Sequence, residues 1–303
     1  MRSAGNSALS SPRSVASRGR RAAATTSSVG RIGTLALEYL HQDGRTVFGR
    51  TTCQTPWHLL PPMYLDESGS AYTLLVNPSG GLVGGDRLSI DLSVGPGAHV
   101  LISTPSANRV YRSPSQEAVQ DVAIKVAGGG ILEWLPEHTI PFAGSRFRQK
   151  IDVQLQAGSV LVLWDAIASG RIAHGERWSF TSLDNQIRIA VPSHGEVQER
   201  YVIVPEGTLG VGLAAEWDYV GSLFVVGDGV TPAQWASLES RLAQIVEEYG
   251  GGVLAGVSQP AVPGVVVKLV ARSAPVMTQV FMALWAAVRC ALWQMPPASL
   301  RKY

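Results

Sequence analysis

Cysteine is scarce in this sequence. Cys53 and Cys290 are the two thiols among 303 residues, too few for a disulfide framework and too far apart for a metal knuckle, so a reducing compartment is expected. Uninterrupted apolar runs are short, and none approaches the ~20 residues of a membrane-spanning helix. A soluble, cytoplasmic chain with no membrane partner is the expectation. Charge of one sign is not in excess either, since the formal net charge is +2. Six arginines (Arg2, Arg13, Arg18, Arg20, Arg21 and Arg31) fall within the first 31 residues, which leaves a near-neutral body and no argument for a nucleic-acid partner.

Catalytic signatures are missing as well. The histidines are scattered without H-E-x-x-H spacing, and His174-Gly175-Glu176 opens like a zinc deaminase motif that no C-x-x-C completes. The nearest approach to G-x-S-x-G, Gly256-Val257-Ser258-Gln259-Pro260, lacks the last glycine. Residues 77–86, NPSGGLVGGD, are dense in glycine but fit neither G-x-G-x-x-G nor a P-loop, and a strand pattern follows instead of a helix. A tight turn is expected there, with positive φ or another chain segment very close, and not a phosphate cradle.

What is present is alternation. Residues 1–31 carry no acidic residue and no apolar period, which predicts a disordered basic tail. Its composition resembles an organellar transit peptide without the apolar core of a secretory signal, and a simple extension is the preferred reading. Residues 32–303 are expected to form a single domain. From 35 to 205, short strands of alternating polarity are broken about every ten residues by turn formers. Strands are predicted over 46–52, 72–76, 119–126, 147–155, 160–164 and 186–191, and alternation also marks 88–92. Gly95-Pro96-Gly97 reads as a hairpin-like break, and Gly128-Gly129-Gly130, Ala157-Gly158 and Asp184-Asn185 read as turns.

Two helices end the chain. Over 231–250, Thr231 caps, Pro232 suits the first helical position, Gly250 suits the residue past the end, and Trp235, Leu238, Leu242, Ile245 and Tyr249 share a face. A second helix spans about 274–293, with an apolar strand at 265–270 between the two.

Four carboxylates stand out by their neighbours: Asp86 after Gly84-Gly85, Asp165 after Leu161-Val162-Leu163-Trp164, Glu176 between Arg171 and Arg177, and Glu199 beside Arg200. Burying an unpaired carboxylate is costly. Either nearby arginines (Arg87, Arg171, Arg177, Arg200) pair with them, or several line a polar interior path for a divalent cation. Oxygen ligands without cysteine hold such an ion weakly, which suits transit better than storage.

The stretches NPSGGLVGGDRL (77–88), TPSANRVYRS (104–113), LEWLPEHTIPFAGSRFRQ (132–149) and LWDAIASGRIAHGERW (163–178) resemble, in order and spacing, the urease accessory proteins of the UreD (UreH) type. The resemblance runs from about Leu35 to the end of the sequence. It implies a mainly β fold, an irregular β-helix of stacked short strands with two α-helices in the C-terminal third. It implies no catalysis and no tightly bound cofactor, with Ni2+ in transit through an interior tunnel towards the urease active site. The implied partners are UreF, through it the UreG GTPase, and the urease structural subunits as apo-urease. Asp86, Asp165, Glu199 and, more weakly, Glu176 map onto the acidic residues of that tunnel. Pro105 and Asn108-Arg109 depart from the usual pattern of the family, so contacts made by their loop are expected to differ. The competing expectation is a β-helix polysaccharide-active enzyme with an acidic pair in a groove. Against it, the sequence shows no internal repeat of fixed length.

Overall fold

Alternating polarity gives strands that bury one face, and here successive strands bury it by stacking on one another in coils. The computed structural model describes residues 30–205, 217–296 and 300; most of the expected basic tail lies outside the described residues. Strand β1 (Ile32–Gln42) folds back on β2 (Arg45–Cys53) across Asp43-Gly44, both at positive φ, as a two-residue hairpin turn requires. Next come β3 (His58–Leu59) and β4 (Ala71–Val76). One coil then consists of β5 (Arg87–Val94), β6 (His99–Ser103) and β7 (Asn108–Val110). The next has β8 (Ala118–Val126), β9 (Ile131–Leu135) and β10 (Thr139–Pro141), and the third β11 (Arg146–Leu155) and β12 (Val160–Ala168). After these, β13 (Ser182–Val191) and β14 (Gly195–Ile203) form an antiparallel pair. The remaining elements are β15 (Tyr219–Gly227), α1 (Pro232–Glu248), β16 (Val253–Ser258), β17 (Gly264–Ala271) and α2 (Ala274–Trp293).

The first sheet has the order β14-β13-β11-β8-β5-β1-β2, and the second β16-β17-β15-β12-β9-β6-β4-β3. Strands β1, β5, β8, β11 and β13 stack in parallel, as do β4, β6, β9 and β12, which is how a solenoid grows. Strands make up 48% of the structure, in about 4 stacked turns, so the expected class is the observed one.

Two turn assignments are corrected. Gly95-Pro96-Gly97 does not join a hairpin: β5 belongs to the first sheet and β6 to the second, so it is a corner. The same corner recurs at Gly129 and Gly158, with φ of 66°, 69° and 78° at Gly97, Gly129 and Gly158. Turn-forming residues favour both geometries, and only the partner of the next strand distinguishes them. Asp184-Asn185 lies inside β13, because the parallel ladder with β11 overrides the turn preference of the pair.

Two apolar cores result. Leu35, Ile90, Val122, Ile151 and Ile187 fill the space between the two sheets. Trp235, Leu242, Val280, Phe281, Leu284 and Trp285 cover the outer face of the second sheet with Leu101, Val162 and Leu223. Helix α1 opens with the expected cap: Thr231 and Gln234 form a reciprocal capping box, with Pro232 at the first position. Helix α2 is long and apolar enough to cross a membrane by length and composition, although no unbroken run does so. Its Met277, Val280, Phe281, Leu284, Trp285 and Val288 are buried, packed in the second core.

Gly84 and Gly85 meet the expectation for their stretch. Gly85 has φ of 92°, and a Cβ on Gly84 would stand 1.8 Å from Ser113 Oγ. The turn is held by close chain packing.

Candidate functional site

Register places four polar side chains in one row across the first sheet. Gln120 of β8 pairs with Gln149 of β11, Gln149 with Asn185 of β13, and Asn185 with Tyr201 of β14. Gln120 Nε2 donates to Gln149 Oε1 at 3.0 Å, and Gln149 Nε2 donates to Asn185 Oδ1 at 2.9 Å. A second row faces it from the other sheet: Asp165 of β12, Ser222 of β15 and Lys268 of β17. Asp165 is where the rows meet. Gln149 Nε2 donates to its Oδ1 at 3.0 Å and Asn185 Nδ2 to its Oδ2 at 2.8 Å, while Asn185 Nδ2 also donates to the Tyr201 hydroxyl at 2.9 Å.

These groups lie among the apolar side chains of the first core. Burial pushes the Asp165 carboxyl up, against the pull of the two amides and of Lys268. Burial also pushes the Tyr201 phenol well up, helped by the Asp165 charge. Further out, Glu199 of β14 accepts from Ser222 Oγ at 2.9 Å and contacts the Lys268 ammonium, which lies 3.2 Å from Ser222 Oγ. Partial burial lowers Lys268 to about 8, opposed by the Asp165 charge.

A cavity lies on each side of this line. The inner one, of about 100 Å3, is lined by Ile90, Gln120, Trp134, Gln149 and Asp165 and is bordered by loop residues Gly80, Gly81 and Pro105–Arg109. The outer groove, of about 570 Å3, is lined by Glu199, Tyr201, Ser222, Leu254 and Lys268. Asp165 borders the first and Tyr201 the second, and Asn185 hydrogen-bonds both. Polar side chains therefore continue from one cavity to the other, with the Asn185 amino group bridging Asp165 and Tyr201 while its Oδ1 accepts from Gln149.

Of the four carboxylates singled out by sequence, Asp165 and Glu199 come together through Ser222 and Lys268, and the other two stand apart. Asp86 is buried, and it accepts the backbone N–H of Arg31 at 2.8 Å and of Val83 at 2.9 Å. It fixes the glycine turn, lines neither cavity, and is not paired by Arg87. Glu176 takes the bidentate fork of Arg171, with Nε at 2.8 Å, and accepts the Ala143 N–H at 3.1 Å. The Arg171 fork, and then the Ala143 amide, hold its carboxyl down at about 2. The arginine-pairing account thus holds for Glu176, whereas Asp165 is held by the Gln149 and Asn185 amides and Glu199 by Ser222 and Lys268. Arg177 and Arg200 pair with Asp218 and Asp184 instead. Among the described residues no three His, Cys, Asp or Glu side chains converge to hold a metal ion.

Sequence reasoning missed Gln149, Asn185, Tyr201 and Lys268, because amides and a phenol in strands, and one lysine inside the apolar strand at 265–270, form no motif until the strands are stacked. It also missed a charged cluster under α2. Glu133, with no exposed surface, takes hydrogen bonds from Arg289 Nη1 at 3.0 Å and His99 Nε2 at 2.6 Å and from the Trp285 indole. Arg289, also fully buried, reaches Asp66 at 3.1 Å. The available signal was a charge on the apolar face of each element: Glu133 between Leu132 and Trp134, and Arg289 four residues after Trp285.

The fold is a β-solenoid with a two-helix layer on one sheet and a polar line through its interior. The sequence pattern of the UreD urease accessory proteins matches residues 31–302, and the chain belongs to that family. The UreD urease accessory protein of Variovorax paradoxus is 31% identical over 277 residues, covering 88% of this chain and 96% of the relative. That of Mycolicibacterium gilvum is 33% identical over 261 residues, covering 85% and 93%, and that of Picosynechococcus sp. is 33% identical over 237 residues, covering 72% and 78%. Membership defines an accessory protein and not an enzyme, which displaces the polysaccharide-active alternative.

Proposed function

We propose that this protein is a non-catalytic scaffold of cytoplasmic urease maturation. In this role it binds UreF, and through UreF the UreG GTPase, docks on apo-urease, and lets nickel pass through its interior to the urease active site. Neither nucleic acid nor membrane is a partner, and nickel is cargo in place of a resident cofactor. The observation that carries the reading is the line of polar side chains from the inner cavity through Asp165, Asn185 and Tyr201 to Ser222 and Glu199, whose carboxylate and hydroxyl oxygens at Asp165, Tyr201, Ser222 and Glu199 can ligate a cation. Carboxylates, amides and hydroxyls are hard donors that bind nickel less tightly than imidazole or thiolate, so an ion can leave each position as readily as it arrived. The apolar walls on either side keep it on the line, since an ion there has no other donor to offset its desolvation.

The test uses cells that make urease, UreF and UreG with and without this chain. Expected are co-purification of all partners on this chain and nickel-loaded urease only when it is present. Urease that loads fully without it, or a chain that captures none of the partners, contradicts the proposal.

A further inference from the structure

The polar line ends on a cation belonging to the protein itself. Lys268 contacts Glu199 and lies 3.2 Å from Ser222 Oγ, and Ser222 in turn donates to Glu199 at 2.9 Å. Register puts Lys268, Ser222 and Asp165 side by side on β17, β15 and β12, while Glu199 comes from the opposite sheet. We propose that Lys268 is a placeholder: its ammonium occupies the Asp165–Glu199 end of the line when no metal is there, and an incoming divalent cation displaces it into the outer groove. The inference rests on the passage proposed above and adds a residue that selects what passes.

Three features distinguish Lys268 from an ordinary ion pair. Its position is a junction, since Glu199, which it contacts, borders the outer groove, and Asp165, two strands away in the same row, borders the inner cavity. It has an exit, because its side chain is 53% exposed and borders the open groove; the fully buried Arg289 has none. Its head group suits release: an ammonium on a flexible stem gives up a carboxylate more readily than a guanidinium fork such as Arg171 on Glu176. Charge then supplies selectivity. Asp165 and Glu199 with one ammonium leave a net negative charge, which a divalent ion neutralises and a monovalent ion, equal in charge to the ammonium, does not.

The test measures Ni2+ binding to the purified full chain by titration calorimetry for the parent, Lys268→Met, Lys268→Arg, Glu199→Gln and Asp165→Asn. Thermal unfolding of each variant confirms that it is folded. Removing a competing charge at contact is expected to tighten nickel binding about tenfold or more, the low end of what a neighbouring charge does to a cation equilibrium. Lys268→Arg should bind no tighter than the parent, and adding Glu199→Gln to Lys268→Met should cancel the gain. A folded Lys268→Met that fails to tighten nickel binding, while Glu199→Gln or Asp165→Asn weakens it, overturns the placeholder and leaves the passage standing. If neither carboxylate variant changes nickel binding, the passage fails and the placeholder with it.

Discussion

Asp165 accepts from two amides and donates to nothing, and that arrangement makes its substitution informative. Asp165→Asn turns one acceptor oxygen into a donor aimed at an amide that already donates, a mismatch of about 1–3 kcal/mol. Its size falls as pH rises. Burial raises the folded carboxyl above its unfolded value, so the folded state holds this proton more tightly than the unfolded chain. Ionisation of Asp165 therefore opposes folding as pH rises from the unfolded value of about 3.9 through the raised one. The asparagine has no such penalty, and melting temperatures at pH 5 and pH 8 should show the variant losing less, relative to the parent, at the higher pH. A gap between parent and variant that widens with pH contradicts the buried carboxyl. Glu176 provides the contrast. It is held by Arg171 and Ala143 away from both cavities, so Glu176→Gln should leave the nickel content of urease unchanged. The sequence placed Glu176 with the others because its neighbours are two arginines and a histidine; which of these it pairs with depends on the short helical turn at Ile172–His174.

At the scale of elements, α2 is fastened to the solenoid by charge as well as by apolar packing. Glu133 on β9 accepts from Arg289 and Trp285, both from α2, and Arg289 also reaches Asp66. Arg289→Met removes the cation and leaves Glu133 fully buried beside His99, and loss of one partner of a buried pair costs about 3–5 kcal/mol. Glu133→Gln combined with Arg289→Met should recover part of that loss in thermal unfolding, since no uncompensated carboxylate remains. Equal losses in the single and double variants would show that packing alone holds α2. Much at this scale was legible beforehand. Period-two alternation located β4, β8 and β11 to within a residue or two, and a threonine cap with a following proline located α1. Corners were not legible, because Gly95-Pro96-Gly97 serves a hairpin or a solenoid corner equally well. The amide row was hidden for a related reason: Asn185 favours turns in isolation, and only stacking on Gln149 makes it a rung of a ladder.

For the whole molecule, the boundary of the folded body and the continuity of its interior are the properties that matter. Arg31, assigned by composition to the basic tail, is built into the body: its N–H donates to Asp86 and its carbonyl accepts from Arg87 N. A chain shortened to begin at Gly30 should activate urease as the full chain does. One beginning after Arg31 should melt at a lower temperature, having lost roughly the 1–3 kcal/mol of an unpaired buried acceptor. Equal melting of the two would show that the Asp86 turn does not need this strand end.

The most direct measurement of the passage takes Asp165→Asn and Glu199→Gln, singly and combined, into cells that make urease, UreF and UreG. Recovery of the complex and the nickel content of the urease are read from the same preparations. A normal complex with nickel-poor urease, poorest for the double variant, is the predicted result. A normal complex with fully nickel-loaded urease for all three variants would contradict it.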